Sequence, residues 1–189
     1  VLRLLSRLLP RRACLRPACP PVAPAVEPAP LELDQLLDDW LSRVLGHLQP
    51  CERRRLTQRV ANNLHFGDTA EAALVNALLG DGGQQHGQWA MLQIELGGIE
   101  EIEWQARELA LAAGIHALYG WDWHQNRHRP AREALLELQA WLGQFGFALL
   151  QLDTGAQEYC MLLAGCGEAD AAVRAGARLG VRLAPLQGH

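Results

Sequence analysis

The sequence predicts an α/β (α+β) protein, a helical N-terminal segment followed by a β-α-β-α-β-β-α-β mixed sheet covered by helices. Three observations carry this prediction. Apolar residues recur at helical spacing from Leu33 to Leu48, and the pattern changes to alternation over residues 88–96. Residues 147–164, FALLQLDTGAQEYCMLLA, then place two strand-length apolar runs around a turn containing Asp153, Thr154 and Gly155, the signature of a β-hairpin.

Residues 1–30 open with Leu2, Leu4, Leu5, Leu8 and Leu9 around Arg3 and Arg7, a short basic amphipathic stretch. Seven prolines from Pro10 to Pro30 then hold the backbone extended, so this leader and linker are expected to lie outside the packed domain. The apolar run is too short for a transmembrane helix or a secretory core. A membrane-surface contact through residues 1–9 and an Arg-rich transit peptide are the functional readings of the leader; a disordered tail is the simpler one.

Residues 31–80 form the helical segment. Leu33, Leu36, Leu37, Trp40, Leu41, Val44, Leu45 and Leu48 line one helical face, and Gly46 and Pro50 close it. A second helix follows over residues 51–63, with Arg53, Arg54 and Arg55 placed on a solvated face. Asp68 and Glu71 have the spacing of a capping box for a third, which Gly80 stops. DGGQQHG, residues 81–87, is a break.

Residues 88–186 form the α/β domain. Ala90, Leu92, Ile94 and Leu96 alternate with Trp89, Met91, Gln93 and Glu95, which makes a strand ended by Gly97 and Gly98. A helix on Ile102, Ala106 and Leu109, a strand over residues 115–121, and the loop WDWHQNRHR come next. Pro130 suits the first turn of the following helix. After the hairpin, a helix on Ala169, Ala172 and Val173 leads to a last strand over residues 181–184. Crossover helices between the first three strands favour parallel pairing, with the hairpin adding an antiparallel member.

Composition removes several chemistries. All 17 basic residues are arginine, so there is no lysine for a P-loop, a Schiff base or a general base. With only Ser6 and Ser42, no serine sits in a G-x-S-x-G turn. Five cysteines without a C-x-x-C pair fit a reduced, cytoplasmic protein better than a disulfide framework or a zinc site. Residues 31–189 carry twelve arginines against twenty acids, a net charge of −8, which disfavours nucleic acid as a partner.

Parallel strands would bring their carboxyl ends to one rim, where open α/β sheets hold ligands. The candidate site is therefore Glu95, Asp122, Trp123, His124 and Asp153. Three carboxylates and an imidazole from separate strand ends are the donor set for a divalent cation; singly, each residue is equally explained as a turn, a cap or a solvent-facing side chain. The run Leu152-Asp153-Thr154-Gly155-Ala156 has the form of an aspartic protease motif, but it follows two crossover helices and has no twin in the chain.

The segments MLQIELGGIEEIEWQARELALAAGI and FALLQLDTGAQEYCMLLAGCGEADAAVRAGARLGVRLAPL resemble a family of small bacterial proteins of unknown function with an L-D-T-G hairpin in the C-terminal half. The resemblance spans roughly residues 88–186 and implies the fold without a reaction. The sequence thus points first to a non-enzymatic binding or regulatory module of immunity type, needing no cofactor and meeting a basic protein partner. The alternative is a metal-dependent hydrolase or phosphoesterase using Glu95, Asp122, His124 and Asp153.

Overall fold

The computed structural model describes residues 30–117, 119–120 and 122–186. Residues 1–29 of the predicted leader (residues 1–30) and Trp121 lie outside the described residues, as does the side chain of Trp123, while the leader's last residue, Pro30, already begins the first helix.

Three helices come first. α1 (Pro30–Val44) turns Leu36, Leu37, Trp40, Leu41 and Val44 inward, the face read from the sequence except Leu33, which is exposed. α2 (Pro50–His65) starts on a proline, whose missing N–H has no helical acceptor at that position, and buries Leu56 and Val60. α3 (Ala70–Leu79) is capped by Thr69, whose Oγ1 accepts from the Ala72 N–H at 3.2 Å. The capping box expected from Asp68 and Glu71 is not made. The extended backbone of Thr69 puts that residue at the cap, Asp68 accepts from the Asn76 amide at 2.9 Å, and Glu71 accepts from the distant Arg182 N–H at 2.9 Å.

The remaining elements are β1 (Met91–Glu95), α4 (Glu101–Ala112), α5 (Trp123–Asn126), α6 (Ala131–Gly143), β2 (Phe147–Leu152), β3 (Glu158–Gly165), α7 (Ala169–Arg178) and β4 (Leu183–Pro185). The four strands form one sheet in the order β1-β3-β2-β4. The class, helices with a sheet in an α+β arrangement, is the one predicted; two details differ. All pairs are antiparallel, because β3 returns from the hairpin and inserts between β2 and β1. β1 and β2 still run in the same direction, but as second neighbours rather than as a parallel pair.

The second difference is that no strand forms over the described part of residues 115–121. Gly114 ends α4 with φ +71°, and the Ile115 N–H closes back on the Ala110 carbonyl at 2.8 Å, a helix-terminating turn that needs the glycine. Only Ile115 of the stretch is buried among the described residues, and the outer edge of β1, where another strand would pair, is already occupied. Met91 and Gln93 direct their backbone groups outward there. Gln84 donates to the Met91 carbonyl at 2.8 Å and accepts from the Met91 N–H at 3.1 Å. Gln105 does the same for Gln93, at 2.7 and 2.8 Å. Two side-chain amides thus stand in for a neighbouring strand.

Both faces of the sheet are buried. On one, Met91, Leu150, Cys160 and Leu162 pack with α1, α2, α3 and α7 around the wholly buried Trp40; on the other, Leu92, Ile94, Leu149, Met161 and Leu163 pack with α4 and α6. Alternate strand residues therefore go to opposite cores, as the period of two requires. The helical segment of residues 31–80 is continuous with the first core. Gly176 of α7 lets α1 approach, since a Cβ there would come within 3.1 Å of Trp40 Nε1.

Candidate functional site

The predicted site residues fall in three places. Glu95 ends β1 and Asp153 follows β2, strands that run the same way, so they share one rim of the sheet with β3 between them; Glu95 stands directly across from Glu158. Asp122 follows no strand. It caps α5, accepting from the His124 N–H at 2.9 Å and the Gln125 amide at 2.8 Å, while His124 lies exposed on that short helix.

Asp153 is committed to its own turn. Its Oδ1 accepts from the Gly155 N–H at 3.1 Å, its Oδ2 pairs with Arg182 at 2.9 Å, and its N–H donates to the Arg182 carbonyl at 3.0 Å. Gly155, at φ +73°, supplies the left-handed residue the turn requires. Glu95, Asp122 and Asp153 make no hydrogen bond with one another. Among the described residues, no group of three or more His, Cys, Asp or Glu side chains is placed to hold a metal ion.

A different part of the molecule forms a cleft of about 490 Å³, between the loop after α3 and the β1–α4 corner. One wall is the glycine-rich stretch of residues 80–85; the other is Gln93 with Glu101, Trp104 and Gln105 of α4, and Trp89 joins them. The volume lies in the range of small-ligand sites.

The loop wall is held from behind by α2. Arg55 grips the buried Glu52 with a fork of two bonds, at 2.6 and 2.8 Å, and donates to the carbonyls of Gly82 and Gly83 at 2.7 and 2.6 Å. Arg59 donates to the carbonyls of Ala77 and Asp81 at 3.1 and 2.8 Å. Arg55, read from the sequence as solvated, is instead spent on the loop. Gly83 lies so close to α3 that a Cβ would come within 2.1 Å of the Leu78 carbonyl oxygen, so no other residue fits without moving the wall. On the far side, the Gly87 N–H donates to Glu108 at 2.7 Å, and His47 Nε2 donates to the Trp89 carbonyl at 2.9 Å. Burial lowers the pKa of His47, which favours the neutral ring this bond uses.

The electrostatics of the cleft are one-sided. Among the described residues, its ionisable lining groups are the carboxylates of Asp81 and Glu101. Gln105 donates to one oxygen of Glu101 at 3.1 Å, but no arginine pairs with it among the described residues. Burial first, then the nearby charges of Glu95 and Glu100, push the Glu101 carboxyl above its ordinary value. Beside it, the rings of Trp89 and Trp104 meet edge to face at 4.9 Å, and Trp104 is 47% exposed. Among the described residues, the lining contains no Ser, Thr, Cys or His side chain. It is suited to holding a cation against an aromatic surface.

Of the residues singled out in the sequence, only Glu95 bears on this cleft, through its charge. The signal for the rest was present: a Gly-Asp-Gly-Gly break next to paired Gln, and tryptophans on the strand and helix that follow. Cys160 is buried at the same sheet rim and donates to Glu158 at 3.3 Å; burial and that carboxylate push its thiol up to about 12, which keeps it protonated and unreactive. No helix among the described residues is long and apolar enough to cross a membrane.

No curated protein and no solved structure matches the chain. The model of the family described as Domain of unknown function (DUF6630) matches residues 22–186, the helical segment and the sheet together, and the chain belongs to that family.

Proposed function

We propose that the protein is a non-enzymatic binding module that takes a basic protein partner at the cleft between residues 80–85 and α4, in a regulatory or immunity-type role that covers part of that partner's surface. The observation that carries this is the pair of carboxylates, Asp81 and Glu101, without an ion-pair partner among the described residues, lining a cleft beside the half-exposed Trp104. A net charge of −8 over residues 31–189 adds long-range attraction for a basic surface. Aromatic residues are the usual energetic anchors of protein interfaces. The anchored loop favours binding as well, since little ordering is left to be done when a partner arrives.

Reversing one charge of the cleft tests the reading. A basic protein should co-purify with the full chain in stoichiometric amount and be lost from the Asp81→Arg variant, whose exposed side chain leaves the fold intact. Retention of the same partner by the variant, or recovery of no stoichiometric partner by either protein, would count against it.

A further inference from the structure

The chemistry of the cleft specifies the partner more closely than its sign of charge. We infer that the cleft is a receptor for one guanidinium group, an arginine side chain of the partner stacked on Trp104, with Glu101 and Asp81 as its counter-charges. The inference rests on the reading of this cleft as the binding face for a basic partner, and it names the group recognised.

Two features favour an arginine over a lysine here, and a third calls for a cation. A guanidinium is planar and weakly hydrated, so it stacks on an indole and leaves water at smaller cost than an ammonium. Trp104 offers such a surface, half exposed and braced edge to face by Trp89. Second, Glu101 is oriented rather than free: Gln105, only 3% exposed, holds one carboxylate oxygen at 3.1 Å while its own position is fixed by both backbone groups of Gln93. An oriented carboxylate matches a rigid fork of donors better than a rotating point charge.

The third feature is that no arginine among the described residues answers this carboxylate. Arg55 and Arg59 lie next to the loop, yet their donors go to loop carbonyls and to Glu52. The negative charge at Glu101 is crowded by Glu95 and Glu100, so an incoming cation gains from all three carboxylates. Asp81, on the loop wall and exposed, adds a fourth. A neutral ligand would leave this charge uncompensated.

Calorimetric titration of the full chain with the blocked peptides Gly-Arg-Gly and Gly-Lys-Gly tests the inference. The arginine peptide should bind, and the lysine peptide should bind about tenfold more weakly, the ratio expected when one charge-assisted hydrogen bond and the stacking are lost. Glu101→Gln and Trp104→Leu should each weaken the arginine peptide about tenfold with the thermal midpoint of Glu101→Gln not lowered. Equal affinity for the two peptides overturns the guanidinium assignment and leaves the basic-partner reading standing. Arginine binding that ignores both substitutions, or no binding of either peptide, also overturns it; the partner's fate with Asp81→Arg then decides the broader reading separately.

Discussion

Glu101 is a carboxylate with no positive partner among the described residues, and its partial burial beside Glu95 and Glu100 sets it apart from the ion-paired acids. Asp153 is tied to Arg182, Glu52 to Arg55 and Asp39 to Arg43, each at 2.9 Å or less, so those charges are compensated within the molecule. At Glu101, burial and the neighbouring Glu95 and Glu100 raise the carboxyl above 4.5, its ordinary value. Between that value and the raised one the folded chain binds the proton more strongly than the unfolded chain, so stability falls as pH rises through this window. Above the raised value the full burden is present. Glu101→Gln is therefore expected to stabilise the protein at pH 7 by no more than about 1 kcal/mol, with the gain shrinking toward zero near pH 4, as read from urea midpoints at the two pH values. A gain in stability with a loss of binding is the pattern of a residue kept for recognition. The sequence did not show that Glu101 would face the loop without an arginine, because that depends on where Arg55 and Arg59 spend their donors.

At the scale of elements, the unusual feature is the edge of β1. Open edges of sheets invite pairing with other chains, and here two glutamines close one by giving a donor and an acceptor to the same backbone residue. Gln105→Leu keeps the bulk in a buried position but leaves the N–H and C=O of Gln93 without their partners. The expected cost is roughly 2 kcal/mol, with amide exchange at Gln93 faster than at Leu92, whose backbone groups face β3; unchanged exchange would mean that water replaces the glutamine. The same device explains why the described part of residues 115–121 adds no strand to that edge, while the insertion of β3 between β2 and β1 makes every pair antiparallel where crossover helices had suggested parallel ones. Local pattern identifies a strand through its side-chain alternation, but pairing is decided by which edge is open. The helices were more legible: the stripes of α1, except Leu33, and of α4 are the buried faces observed, since a 3.6-residue period is written in consecutive residues.

Across the whole molecule, one sheet is covered on both faces by helices, and the acidic body around it sets the terms of association. If a basic partner is drawn in by the net charge of −8 of residues 31–189, its association rate should fall several-fold between about 50 and 300 mM salt, while dissociation changes less, as measured by stopped-flow mixing. An association rate that does not respond to salt would place the attraction in contacts alone. The amino-acid sequence by itself determined the α+β class, the helical stripes, the hairpin around Asp153 and the acidic balance, because each is carried by neighbours in the chain or by a sum over it. Tertiary structure alone decided the strand order, the closure of the β1 edge and the meeting of residues 80–85 with α4. The physical reason is that these depend on contacts between distant segments, where Arg55, Gln84 and Gln105 satisfy backbone groups far from them in sequence, and no local period records that pairing.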